Sequence, residues 1–208
     1  MNDNAPKLTF YHSPHTRSAG TFILLEELGV PYELKILDVR AGDSRKPEYL
    51  AINPMGKVPA ITHGDSLITE QVAIAIYLAD YFPEAKLAPA LTDPLRGPYL
   101  RWMAFYAACF EPAVMDKAMG RDSGKQMSSG YGDYDSVMKV IIDQLKKGPY
   151  LLGDTFSATD LLWGSALGWT SQFKLVPDDP AINDYVKRMA ERPASVKVKA
   201  QDSSTLKA

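Results

Sequence analysis

The sequence predicts an α/β domain followed by an all-α domain, and three observations carry that reading. Between Lys7 and Tyr81, short β-rich runs alternate with helical ones. Leu87 to Pro94 then holds two prolines, Pro89 and Pro94, in the manner of an inter-domain linker. Everything beyond it has helical periodicity and no further β-rich run. The expected division is 1–83 for the first domain, 84–92 for the linker and 93–208 for the helical domain.

The elements follow in order. Lys7 to His12 is a short β run with Leu8, Phe10 and Tyr11 as its apolar content, broken by Ser13-Pro14-His15-Thr16. A helix is expected from about Thr16 to Leu28, with Phe22, Leu25 and Leu28 on one stripe and Gly29 as its stop. Pro31 to Val39 reads as a second strand, and Lys46 to Ile52 as a helical turn. Val58 to Thr62 and Ser66 to Ile68 form a hairpin around His63-Gly64-Asp65. The helix from Glu70 to Tyr81 is apolar nearly all round and so is buried on more than one side. The order β-α-β, then β-β-α, is a thioredoxin-like arrangement.

In the second part, Asp93-Pro94 opens a helix that runs from Leu95 to about Met119, with a kink expected at Pro112. Gly120 to Gly132 is a glycine- and serine-rich loop, and Tyr134 to Lys147 is amphipathic. Ser157-Ala158-Thr159-Asp160 is an acidic capping box, with Phe156 and Leu161 spaced as a hydrophobic staple; these residues start a helix and do no chemistry. A last helix is expected from Pro180 to Glu191, and Val196 to Ala208, which lacks an apolar face, reads as a loose tail.

Composition excludes several classes of function. The 208 residues are 46% hydrophobic and 23% charged with a net charge of -2, which gives no reason to expect nucleic acid or an acidic membrane surface. The single cysteine, Cys109, cannot build an intrachain disulfide framework and fits a reducing, cytoplasmic setting. The start shows no signal-peptide pattern, and no apolar run reaches the ~20 residues of a membrane span. No HExxH, CxxC, Walker loop or GxGxxG is present, so no metal, nucleotide or other cofactor is expected.

The most informative stretch is Asn53-Pro54-Met55-Gly56-Lys57-Val58-Pro59-Ala60-Ile61 and the hairpin after it. Pro59 is the odd residue, because proline removes a ladder donor and belongs only at a strand's start, edge or bulge. A cis Val58-Pro59 bond would also resolve the conflict, but cis forms only about 5–6% of X-Pro bonds, so the residues alone favour an ordinary strand-entry proline. Asn-Pro-Met-Gly-Lys-Val-Pro-Ala, the hairpin, and then Thr-Glu-Gln-Val-Ala-Ile-Ala-Ile-Tyr-Leu together resemble the glutathione-site signature of cytosolic glutathione transferases. The likeness covers roughly Lys7 to Pro193, with the Pro59-to-Glu70 block as its specific part.

That resemblance implies a cis Pro59, a Val58 backbone paired with the cysteinyl part of glutathione, and Glu70 holding the γ-glutamyl group. Gln71 stands where the family often has serine; its amide can bond the γ-glutamyl carboxylate. Lys57 could reach the glycyl carboxylate, or be a solvated loop lysine. The group that activates the thiol belongs where the first strand meets the first helix, since a helix N-terminus and one hydroxyl both favour a thiolate. Bacterial cysteine-type members align so that their cysteine falls on Arg17 and the next serine on Ser18. The cysteine is thus absent, which argues against a covalent glutathione-disulfide step. Serine-type members place the hydroxyl just before a proline, which points to Ser13. Ser13, Ser18 and Thr16 remain as candidates, with His15 and Arg17 as possible helpers. Tyr106, Phe110, Met115 and Trp163 could line an apolar electrophile pocket or simply be core, and Cys109 reads as a packed small hydrophobe.

The resemblance therefore implies a cytoplasmic, homodimeric glutathione transferase-like enzyme. It takes glutathione as co-substrate, attacks a small hydrophobic electrophile, and needs no metal. A glutathione-dependent reductase or isomerase on the same fold, or a non-catalytic glutathione-binding or protein-interaction module, are the competing readings.

Overall fold

The structure, a computed structural model, describes residues 6–205. The chain divides into two compact units: the residues up to Leu78 together with those from Pro193 on, and Ala79–Arg192. The expected boundaries of 1–83, 84–92 and 93–208 assign the final segment to the helical part, whereas this division returns it to the first unit.

The first unit is built on a four-stranded mixed sheet of order β2-β1-β3-β4. β1 (Leu8–His12) pairs in parallel with β2 (Glu33–Ile36) after the crossover helix α1 (Ser18–Leu28). It pairs antiparallel with β3 (Ala60–His63), which forms a hairpin with β4 (Ser66–Thr69). Helix α2 (Pro47–Leu50) precedes β3, and α3 (Gln71–Tyr81) follows β4. This is the thioredoxin-like arrangement. Leu8, Phe10, Phe22, Leu25, Ile61, Ile74 and Leu78 are all nearly inaccessible and supply its core. Gly29 ends α1 with φ 64°, its N–H bonded to the Leu25 carbonyl, as expected for a left-handed C-terminal stop. Pro59 delays β3 to Ala60, two residues later than its expected start, because the proline has no N–H for the ladder.

The second unit is all helical: α4 (Arg96–Phe105), α5 (Glu111–Ala118), α6 (Tyr134–Leu145), α7 (Ala158–Gln172) and α8 (Pro180–Ala190). The single long helix expected from Leu95 to Met119 is interrupted by a π turn, Tyr106–Phe110, immediately before Pro112. A wider turn relieves the missing N–H and the ring clash of a mid-helix proline, so the break falls just before Pro112 rather than at it. The proline-rich segment before α4 is anchored: Leu87 is buried and its carbonyl accepts the Ala158 N–H at 2.7 Å.

The capping box at α7 is present. Asp160 Oδ2 accepts the Ser157 N–H at 2.9 Å, and Asp160 Oδ1 accepts both the Leu151 N–H and the Tyr185 hydroxyl at 2.9 Å. The carboxylate thus ties a loop, a helix start and α8 at one buried point; burial pushes its pKa up against these bonds.

The loose tail is the main correction. Pro193 does not end structure but starts α9 (Pro193–Thr205), a helix whose Val198 and Asp202 are buried, one turn apart. α9 packs on α1 within the first unit, where Lys197 forms an ion pair with Glu26. Residues 206–208 lie outside the described range.

Asp160→Ala would strand three buried donors, each costing about 1–3 kcal/mol. We expect a loss of about 3 kcal/mol or more, read from urea unfolding of variant and parent.

Candidate functional site

The sheet register assembles the site. Tyr11 lies opposite Ala60, so the end of β1, leading into Ser13, runs beside the start of β3, which is led by Val58 and Pro59. Ala60 in turn lies opposite Thr69, so Glu70 emerges at the same end of the sheet. Three segments separated by tens of residues in sequence thereby meet at one edge. Each contributes a residue singled out from the sequence.

The Val58–Pro59 peptide is cis, as the family resemblance implies and against the expectation from the residues alone. The loop before it is braced from within. Buried Asn53 accepts the Met55 N–H at Oδ1 (3.1 Å) and donates from Nδ2 to the Lys57 carbonyl (2.9 Å). The Tyr49 hydroxyl donates to the same carbonyl at 2.6 Å, and Arg45 Nη1 donates to the Met55 carbonyl at 3.1 Å. Among the described residues, neither the N–H nor the C=O of Val58 has a hydrogen-bond partner. Backbone groups left unpaired on a braced loop are ready to pair with an extended ligand. Lys57 is exposed beside them.

Glu70 is exposed and has a left-handed φ of 64°. It stands just before α3 rather than within it, with its carbonyl accepting the Ile74 N–H at 2.9 Å. Its carboxylate therefore lies at a helix N-terminus, where a negative charge is favoured and where a ligand's ammonium can reach it. Gln71 is the first residue of α3 and is half-buried.

The turn between β1 and α1 separates the hydroxyl candidates. Ser18 is fully buried, and its Oγ accepts the Ser13 N–H at 3.2 Å, donates toward the Ser13 carbonyl at 3.1 Å, and meets His12 Nδ1 at 2.8 Å and Thr16 Oγ1 at 2.7 Å. Thr16 Oγ1 also donates to the Ser13 carbonyl at 2.7 Å and accepts the Ser18 N–H at 3.2 Å. Both hydroxyls are thus committed to the turn itself. The Ser13 hydroxyl, in a residue only 4% exposed, is the one of the three that makes no hydrogen bond to another described residue. His15 is exposed, with φ 55°, and Arg17 stands at the cap position of α1.

Of the two readings of the aromatic candidates, burial favours core. Phe110 and Trp163 are fully buried and Tyr106 nearly so. Their rings pack on one another, with Trp163 at 4.9 Å from Phe110 and 5.6 Å from Tyr106, and Trp163 Nε1 donates to the Trp102 carbonyl. Helical spacing placed them on the inward face of the second unit's core, so they offer no open surface to a substrate. Cys109 is half-buried, and burial pushes its thiol pKa up, the reverse of what a nucleophile needs. Among the described residues no group of His, Cys, Asp and Glu could hold a metal, and no helix is long and apolar enough to cross a membrane.

Sequence reasoning missed His12 and Asp202. His12 Nε2 meets Asp202 Oδ1 at 2.9 Å, and Asp202 Oδ2 accepts the His15 N–H at 3.3 Å. Pro193 at a helix start and the Val198-to-Asp202 spacing were the available signals for α9.

The layout is thus a thioredoxin-like unit with a braced loop, a cis-proline and a hairpin, followed by an all-helical unit. Comparison with known proteins narrows it. Residues 6–80 match the glutathione S-transferase N-terminal domain and residues 124–193 the C-terminal domain. The chain is 30% identical over 202 residues to the glutathione S-transferase-like protein gedE of Aspergillus terreus, covering 85% of this chain and 87% of that one. A glutathione transferase from Methylococcus capsulatus superposes with a TM-score of 0.79 at 28% identity, over 95% of this chain and 99% of the other. A glutathione transferase homologue from Sulfitobacter, solved with bound glutathione, gives 0.75 at 30% identity, over 94% and 98%. The chain belongs to the glutathione S-transferase family.

Gly56 tests the bracing of the loop. At φ 61°, an added Cβ would sit 2.6 Å from both the Ser44 carbonyl and Arg45 Nη1. Gly56→Ala is expected to cost about 1–3 kcal/mol in thermal or urea unfolding, because backbone must move in a conformation that L-residues disfavour.

Proposed function

We propose that the protein is a glutathione transferase that binds glutathione at the sheet edge of its first unit and conjugates the thiolate to a small hydrophobic electrophile. The observation that carries this reading is the convergence there of an unpaired Val58 backbone, an uncommitted Ser13 hydroxyl and an exposed Glu70. The Val58 N–H and C=O pair with the cysteinyl residue of the tripeptide, and Glu70 takes the γ-glutamyl ammonium. Gln71 bonds the γ-glutamyl carboxylate, and Lys57 attracts the glycyl carboxylate. Ser13 donates its hydroxyl proton to the sulfur and, with the start of α1, favours the thiolate.

A free thiol of pKa near 8.5 is mostly protonated at neutral pH, so stabilising the thiolate and holding the electrophile beside it are what catalysis requires. No metal enters this chemistry. Arg17 at the cysteine position of cysteine-type members disfavours a mixed-disulfide step, which sets the transferase reading above a reductase. The protein acts in the cytoplasm as a homodimer; sedimentation at micromolar concentration should give about twice the 22.9 kDa chain mass, and a species at the chain mass would reject the dimer.

Glu70→Ala removes a charge-assisted contact worth roughly 1.5–3 kcal/mol, so calorimetry should show about a tenfold or greater loss of glutathione affinity. Unchanged binding would reject the site. Ser13→Ala should leave binding nearly intact and raise the pKa of the bound thiol by about one unit, read from thiolate absorbance against pH. Turnover of a generic aryl halide, set against a mixed glutathione disulfide, separates transferase from reductase; turnover of neither leaves a binding module.

A further inference from the structure

His12, Ser18 and Asp202 come from the end of β1, the start of α1 and the last turns of α9, and none is more than 5% exposed. Burying an ion is expensive unless it is paired and hydrogen-bonded, and here each polar atom is matched. Asp202 Oδ1 faces His12 Nε2, Asp202 Oδ2 takes the His15 N–H, and His12 Nδ1 faces Ser18 Oγ. The rings of Phe22, 4.9 Å away, and Phe10, 5.5 Å away, close the apolar faces of the imidazole.

Proton bookkeeping constrains the series. With Asp202 ionised, His12 Nε2 carries a proton and donates it to the carboxylate. A neutral imidazole then accepts the Ser18 proton at Nδ1. An imidazolium instead donates from Nδ1 to Ser18, whose own O–H donates a hydrogen bond to the Ser13 carbonyl. In both arrangements the Ser13 N–H ends on Ser18 Oγ. A carboxylate–imidazole–hydroxyl series has the order of a hydrolase relay, but this hydroxyl is fully buried and filled by backbone, so no substrate meets it. The series terminates on the backbone of Ser13.

We propose that Asp202 is a positioning residue for thiol activation: through His12 and Ser18 it fixes the Ser13 backbone, and so the direction of the one hydroxyl in the turn that has no partner among the described residues. The inference rests on the reading of Ser13 as the donor to the glutathione sulfur. It makes α9 a part of the site through the turn that Asp202 braces.

The test compares Asp202→Asn with Val198→Ala, which loosens the same helix through an apolar contact and leaves the polar series intact. Asn keeps the shape but offers one oxygen to the two donors that Asp202 serves. For both variants and the parent, three quantities are read: melting temperature, glutathione affinity, and thiolate absorbance of bound glutathione against pH. Asp202→Asn should lower the thiolate fraction at neutral pH by about three- to tenfold with affinity changed less than about threefold. Val198→Ala should melt lower yet keep the parent's thiol pKa. An unchanged thiol pKa in Asp202→Asn, or an equal shift in Val198→Ala, overturns the positioning role. If Asp202→Asn does not fold, His12→Asn, which keeps a partner for Ser18 and severs only the carboxylate link, carries the same expectation; loss of folding in both overturns it in favour of a purely structural role. A parent that shows no thiolate, or whose thiol is insensitive to Ser13→Ala, defeats the underlying reading instead, and the two failures are told apart by the parent's own titration.

Discussion

The antiparallel pairing of β1 with β3 is the constraint on which the rest of the site depends. With Tyr11 opposite Ala60, the exit of β1 and the entry of β3 share one end of the sheet. The hairpin then delivers Glu70 to that end, since Ala60 also faces Thr69. A one-residue slip would turn Phe10 and Ile61, both fully buried, toward the opposite face, so the core itself holds the register. The geometry of binding groups is in this way paid for by hydrophobic burial, and no separate device is needed to align them.

Around that register the structure spends polar groups on bracing. Asn53, Tyr49 and Arg45 satisfy the carbonyls and N–H groups of the loop on either side of Gly56 and leave Val58 open. Ser18 and Thr16 do the same for the turn after β1 and leave Ser13 open. In each case one residue is left without a hydrogen-bond partner among the described residues at the group singled out from the sequence, while its neighbours are occupied. Rigid surroundings with a few uncommitted groups are what preorganised recognition requires.

Much of the first unit was legible because its signals are local. The Asn53-to-Glu70 block, the hairpin turn and the stop at Gly29 each follow from residues a few positions apart. Which hydroxyl of the turn is uncommitted was not, because Ser13, Thr16 and Ser18 are chemically alike and only their hydrogen bonds distinguish them. The aromatic stripe stayed open between substrate lining and core because helical period shows that residues share a face, not whether that face is covered. α9 was missed because its weak apolar pattern hides a helix held by one valine, one carboxylate and an ion pair. A buried Asp whose partner stands 190 residues away leaves no trace in any local window.

That separation also bears on how the chain is made. β1, with His12 at its end, is translated 190 residues before the carboxylate that answers it. Until α9 arrives, the imidazole and the turn beyond it lack their charged partner, and the first unit cannot be completed in the order in which it is synthesised. The helical unit between them is made whole in the meantime. The first unit is thus closed by a late-arriving clasp, and its final form waits on the translation of α9 even though most of its sheet precedes that helix.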